Sequence, residues 1–476
     1  MTWNLALARM AALGLLFSFT FCACKKDAPA AEPAPLPAAQ VTTQPTALRA
    51  PSTSETALGV APTAGSSPTL AWQLPPDSPA LPAGTTPSAF QPAIDDYAWQ
   101  MFVAMSWPAS ATERGIADPA QQIGAPGMTV WGSLKDVDEV FLPDAASPAA
   151  WDAWPSSEPA ACQASDKPMK HLTMQSKVSP QMRNVAQAVG GTLTDQRGNL
   201  ARYAESMNQY EFGAIVAQHL FNADVQAAQK TDLSLPFGSM EVKSAWREWT
   251  DAEDKATWTD ANGNQPPLAA RYYIQPFCVL DKDGQTWATK KMALVGLHIS
   301  RKTPNAPEWI WTTFEQVDNV NAGAPFCSFF NILCGSCPPN TSTEVNGKPT
   351  TKPTQVTRLT SIDPARLKRN AVWQKALAAV PGSPWPYYEL IGAQWPTEPK
   401  QSALSGVPFP AQVANVVIET YNQATSSCMN CHTGARLAGV GVNVPRYSDY
   451  SYLLGHATTP RRRPQSRPSN RPRNAQ

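Results

Sequence analysis

Proline decides where this chain can fold. A proline lacks a backbone N–H and fixes φ, so it stops helices and is excluded from sheet interiors. The 47 prolines are unevenly spread. Residues 25–92 hold 14 of them among Ala, Thr and Ser, with no apolar periodicity. Residues 460–476 hold four more, with six arginines and no acid. The first stretch reads as an extended, PPII-like tether and the second as a basic, disordered tail. A folded body must lie between them, and the remaining 29 prolines make it rich in loops. The chain's 476 residues are enough for a sizeable core. A charged fraction of 16% argues against a wholly disordered polyelectrolyte. A formal net charge of +1 argues against a general nucleic-acid binder.

The N-terminus reads as an address. One basic residue, Arg9, precedes an apolar run over 10–21, which is too short to span a bilayer and has the layout of a signal peptide, 1–24. The run ends Phe21-Cys22-Ala23-Cys24-Lys25-Lys26. A small residue before a Cys at this point resembles the bacterial lipoprotein cleavage box, which makes Cys24 the expected lipidated residue, with Cys22 second. Phe21 stands where that box usually has Leu. Lys25 is not the Asp that retains lipoproteins at the inner membrane, so the resemblance implies an outer-membrane anchor facing the periplasm. Cysteines there meet an oxidising compartment.

Local patterns predict an α+β body over 93–409. Asp95 and Asp96 open an amphipathic helix that continues to Met105, and 210–229 is a second helix candidate. Residues 131–141 are a short element of either type, and 142–170 are loop. Residues 240–246, 269–280, 292–299 and 308–317 read as strands. In the last, Trp309, Trp311 and Thr313 share one face, and Ile310, Thr312 and Phe314 the other. Residues 322–353 read as a long loop. The expectation is antiparallel sheet with flanking helices. From Pro410 the chain reads as helical, with Val413, Val416, Val417, Thr420 and Tyr421 on one face, and 410–459 is expected to pack on the body.

The chemistry is concentrated in Cys428-Met429-Asn430-Cys431-His432, a C-x-x-C-H motif. Two thiols three residues apart on a helical turn can add to the two vinyl groups of one haem, and the next residue, His432, then meets the iron as proximal ligand. Zinc would need two further ligands, and only His456 is near in sequence. The motif lies close to the C-terminus and no Met follows Met429, so a small cytochrome with His/Met ligation fits poorly. A haem-bearing helix packed on a larger α+β domain fits better.

This arrangement resembles a family of secreted bacterial proteins described as cytochrome c family or haem-domain proteins. The resemblance covers most of 93–457. It is carried by Tyr97-Ala98-Trp99-Gln100-Met101-Phe102-Val103, Glu241-Val242-Lys243-Ser244-Ala245-Trp246, Val295-Gly296-Leu297-His298-Ile299, Trp309-Ile310-Trp311-Thr312-Thr313-Phe314-Glu315, Asp318-Asn319 and Glu419-Thr420-Tyr421. Family members tend to carry His where this chain has Gln316. The resemblance implies haem and secretion and assigns no reaction.

Other candidates are more open. His298 on its strand and His456 are candidate distal iron ligands or distal catalytic groups. His219 on the predicted helix and His171 in a polar stretch are less suited. Glu241, Lys243, Glu315 and Asp318 sit beside aromatic positions, as structural ion pairs or as distal acid/base groups. Cys162, Cys278, Cys327, Cys334 and Cys337 are expected to form disulfides with one thiol over. Cys334-Gly335-Ser336-Cys337 lacks the following His and is not a second haem site. The expected function is that of a monohaem c-type cytochrome transferring electrons with a protein partner or a small-molecule donor or acceptor. It is held at the membrane by its lipid and binds no nucleic acid. The alternatives are a haem enzyme of peroxidase or oxygenase type, and a haem-containing sensor or binding module.

Overall fold

Alternating apolar side chains ask for a sheet with two covered faces, and the strands form one. The computed structural model describes residues 67–155, 159–162, 169–172, 191–260, 262–281, 285–321, 328–400, 407–439 and 446–461. Its strands are β1 (Lys135–Asp136), β2 (His171–Leu172), β3 (Arg202–Met207), β4 (Met240–Glu248), β5 (Ile274–Leu280), β6 (Trp287–Thr303), β7 (Ala306–Gln316), β8 (Tyr388–Pro396) and β9 (Pro408–Phe409). They form one open sheet in the order β1-β3-β4-β6-β7-β8-β9, with β5 also on β6 and β2 on β5. Every pairing is antiparallel except β2 with β5. The helices are α1 (Pro87–Met105), α2 (Val137–Val140), α3 (Gln209–Ala217), α4 (Ala223–Ala227), α5 (Asp251–Asp254), α6 (Pro364–Ala378) and α7 (Cys428–His432). The fold class is α+β, an antiparallel sheet with flanking helices.

Residues directly opposite in adjacent strands share a face, so the register assigns both faces. Leu297, Ile299 and Arg301 of β6 oppose Phe314, Thr312 and Ile310 of β7 on the face that α1 and α6 cover. There Trp99 packs edge-on to Phe314 and stacks on Trp373, and Trp99 Nε1 donates to Asn370 Oδ1 at 3.0 Å. Each such buried aromatic contributes roughly 1.5–3 kcal/mol. The opposite face carries Gly296, His298 and Ser300 across from Glu315, Thr313 and Trp311. Residues 413–419 lie on it, close enough that a Cβ on Gly296 would sit 2.7 Å from Val417 Cγ2, and one on Gly392 2.8 Å from Val413 Cγ1. Glycine is required at both positions by this close approach.

Several local expectations are corrected. The helix expected from Asp95 starts at Pro87, where Thr86 caps it. Asp95 and Asp96 are therefore mid-helix and buried, and they hold α6: Arg366 Nε lies 3.1 Å from both Asp95 oxygens, and Arg369 and Trp373 Nε1 reach Asp96. Burial is the main cause that raises both carboxyls above their usual value. The tether expected to run to 92 ends earlier. Leu70, Leu74 and Leu81 pack on the core, and Arg301 on β6 donates to the Pro75 and Pro76 carbonyls. Prolines do not prevent this, because a strap held by its carbonyls needs no N–H. The helix expected over 210–229 is two pieces, α3 and α4, broken where His219 takes φ 53°.

The helix expected from Pro410 does not form, and α7 is a single turn. Val416 N donates to Glu315 Oε1 (2.7 Å), Val417 N to Asn415 Oδ1 (3.0 Å) and Asn415 N to Glu419 Oε2 (2.9 Å). Side-chain acceptors take the N–H groups that helix carbonyls would claim. Of the disulfides expected, Cys162–Cys278 and Cys334–Cys337 form. Cys327 lies outside the described residues, as do Cys24, the signal peptide, most of the tether and 462–476 of the tail.

Candidate functional site

A single helical turn cannot hold itself in water, so α7 depends on the sheet beneath it. Cys431 N donates to Ser427 O (2.9 Å), the first bond of the turn. Gln394 of β8, fully buried, grips its start: Oε1 accepts from Met429 N (2.7 Å), and Nε2 donates to Pro410 O (2.7 Å) and Ser427 Oγ (3.1 Å). Met429 is buried in the main core, which anchors the turn between its two cysteines.

The Cys428 and Cys431 thiols are unlinked; Cys428 is half-buried and Cys431 exposed. The same C-x-x-C spacing at Cys334 and Cys337 closes into a disulfide. Burial, with Glu419 and Cys431 adding to it, pushes the Cys428 thiol well above its usual range. A protonated thiol is a poor nucleophile, which sets Cys428 apart from thiol–disulfide catalysts.

His432 follows on the same turn. Its Nδ1 donates to Tyr450 O at 2.7 Å, and its ring packs 4.3 Å from Trp311 and 5.0 Å from Tyr452. A proton fixed on Nδ1 puts the lone pair of the imidazole on Nε2, the tautomer that a metal-ligating histidine needs. The Tyr450 carbonyl is held in place at a cost. Asp449 and Tyr450 both adopt left-handed backbone, φ 54° and 69°, each worth about 1–3 kcal/mol of strain. The turn is pinned by Asp449 Oδ2, which accepts from Lys302 Nζ (2.5 Å) and Leu235 N (2.7 Å), and by Ser451 Oγ, which donates to Glu211 Oε1 (3.3 Å). Both Lys302 and Asp449 are buried.

The other candidates separate by strand. Glu205, Lys243, His298 and Thr313 are in register across β3, β4, β6 and β7, on the face that carries Trp311. Lys243 pairs with Glu205 at 3.1 Å. His298 Nε2 lies 3.5 Å from Glu419 Oε2, the same Glu419 whose charge acts on Cys428. His456 Nε2 lies 3.6 Å from Glu205 Oε2 and its ring leans on Phe141. His298 is on β6, next to β7, and meets Glu419, whereas His456 is four positions after Tyr452, whose ring packs on His432. His219 is in the turn after α3, against Phe221, and His171 is on β2, against Trp287. Neither is brought to α7.

Glu315 pairs with Arg358 (2.7 Å) and Asp318 with Arg271 (2.5 Å), as structural ion pairs. Glu241 instead meets a second carboxylate, Glu211, which is fully buried. Desolvation, and next the Glu241 charge, hold Glu211 well above the usual carboxylate range. Sequence reasoning missed Gln394, Tyr450, Asp449, Lys302 and Glu211. No local pattern marks them, because each acts on a residue tens to hundreds of positions away.

Among the described residues no three His, Cys, Asp or Glu side chains converge as zinc ligands would. Nor is any described helix long and apolar enough to cross a membrane. Compared with known proteins, the chain matches no family model, no curated protein and no solved structure.

Proposed function

We propose that this chain is a monohaem c-type cytochrome of the bacterial envelope that transfers electrons. The observation that carries the reading is the α7 turn: two unlinked thiols three residues apart, then His432 with its Nδ1 proton held by the Tyr450 carbonyl. Cys428 and Cys431 would hold the haem through thioether bonds and His432 would be its proximal ligand. The bound group would supply a one-electron iron couple. The chain's own residues orient the site: Gln394 fixes the turn, Tyr450 fixes the tautomer, and Trp311 and Tyr452 fix the ring plane. The resemblance to secreted cytochrome c proteins, the signal-peptide layout and the lipoprotein-like Cys24 belong to the same proposal. They support a periplasmic protein anchored to the outer membrane. Its partner is then a redox protein or a small electron donor or acceptor.

On the distal side His298 is the first candidate, because it meets Glu419, whose charge acts on Cys428, and His456 is the second. The Glu205–Lys243 pair and Glu419, on the face that carries Trp311, favour one alternative, a haem oxidoreductase using a distal acid/base group.

An optical spectrum of periplasmically matured protein tests the proposal. A thioether-haem spectrum is expected, and it should change in Cys431→Ser. Absence of bound haem ends the reading. Rapid CO binding by the reduced protein transfers support from carrier to enzyme, and a spectrum unchanged in His298→Ala removes His298 as ligand.

A further inference from the structure

The two disulfides differ in every respect that governs reactivity. Cys162–Cys278 spans 116 positions, and both residues are fully buried. Cys334–Cys337 spans three positions in a surface turn, and both residues are partly exposed. Closing a long loop removes much chain entropy from the reduced, unfolded protein, whereas closing a three-position loop removes little. The short bridge therefore gives the fold little, and its sulfurs are within reach of an attacking thiolate. Its loop is pinned without it. Asn331 N donates to Gln355 Oε1 (2.6 Å), Asn340 N to Gln355 O (2.7 Å) and Asn340 Nδ2 to Thr357 O (3.0 Å). Leu333, next to Cys334, is 93% exposed, the highest value among the large exposed apolar side chains of the described residues, and Ile332 beside it is 54% exposed. An apolar pair bordering a reachable disulfide gives an incoming protein something to bury.

We propose that Cys334–Cys337 is a reversible two-electron redox site, separate from the C-x-x-C-H turn, that exchanges with a protein dithiol of the C-x-x-C type. A thiolate of the partner attacks one sulfur of the bridge. The Cys334–Cys337 bond breaks, a mixed disulfide forms and the other cysteine leaves as thiolate. The partner's second thiolate then attacks its own sulfur in the mixed disulfide and releases the first cysteine. The partner ends oxidised, and Cys334 and Cys337 end reduced, having gained two electrons and, from solvent, two protons.

The test uses the full chain as isolated, held in graded dithiothreitol, quenched with an alkylating agent and mapped by peptide mass. Cys334 and Cys337 should become labelled at dithiol concentrations at least tenfold below those that open Cys162–Cys278, with tryptophan fluorescence unchanged. Simultaneous opening of both bridges, opening only with unfolding, or a map that pairs either cysteine with Cys327 overturns the site. With reduced thioredoxin as the protein dithiol, Leu333→Ser should slow opening at least threefold and leave the dithiothreitol rate unchanged. Equal rates for the two chains with thioredoxin overturn the protein partner.

Discussion

Gln394 is the residue on which the α7 turn depends most directly, and Gln394→Leu tests that dependence. Leucine keeps roughly the volume and removes both polar ends. Met429 N–H and the Pro410 carbonyl, each 2.7 Å from the amide, then lose their partner. An abandoned buried donor or acceptor costs about 1–3 kcal/mol; Met429 N is buried and Pro410 O only partly so, and the two together cost about 2–5 kcal/mol. Burying leucine's apolar surface in place of the amide offsets about 1–2 kcal/mol of this. Taking about 3.5 kcal/mol as the middle of the first range and about 1.5 kcal/mol as that of the second, the expected net loss is about 2 kcal/mol. The assay is urea unfolding of the full matured chain by tryptophan fluorescence, with haem per chain measured alongside. Haem content should fall as well, because a five-residue turn without its grip no longer presents Cys428, Cys431 and His432 together. A Gln394→Leu protein within about 0.5 kcal/mol of the parent, the ordinary scatter of a neutral surface change, with full haem content would refute the reasoning.

Two further outcomes follow from the pinned turn at Tyr450. Asp449→Ala leaves the buried Lys302 ammonium uncompensated and should cost about 3–5 kcal/mol. Adding Lys302→Met to Asp449→Ala removes the uncompensated ammonium and should recover part of the loss, the Leu235 N–H still lacking its acceptor; equal urea midpoints for single and double variants would count against a buried pair. Glu211 concerns pH. Burial and Glu241, and further off Asp449, raise its folded value above the usual 4.5, and the hydrogen bond from Ser451 opposes them. The stability this proton supplies is complete below about pH 4.5 and is lost as pH rises through the raised value. Glu211→Gln removes that titration, so its unfolding midpoint should decline less than the parent's between pH 5 and 9. Parallel profiles would show that the pair does not titrate there.

The strands were legible because alternation is a local signal. Trp311 and Thr313 lie on one face and Ile310, Thr312 and Phe314 on the other, as their spacing predicts, and Trp309 stacks on Trp311 from left-handed backbone, φ 69°. The helix expected from Pro410 was misread for the converse reason. Its apolar spacing suits a helix, yet Glu315, 101 positions from Val416, takes a backbone N–H the helix would need. Asp95 and Asp96 look like a helix start in sequence and prove to be buried clasps for α6, because cap and clasp use the same residue type.

By itself, the sequence determined the order of the segments, the α+β class and the C-x-x-C-H turn, since each depends on residues adjacent in the chain. Only the tertiary structure decided which carbonyl orients His432, which side chain grips the turn and how Cys162, Cys278, Cys334 and Cys337 pair. Those are matters of register and burial. Strand pairing brings Gln394 within hydrogen-bonding distance of Met429 and His298 within one strand of Trp311. No local spacing encodes which distant partner a buried polar atom will find.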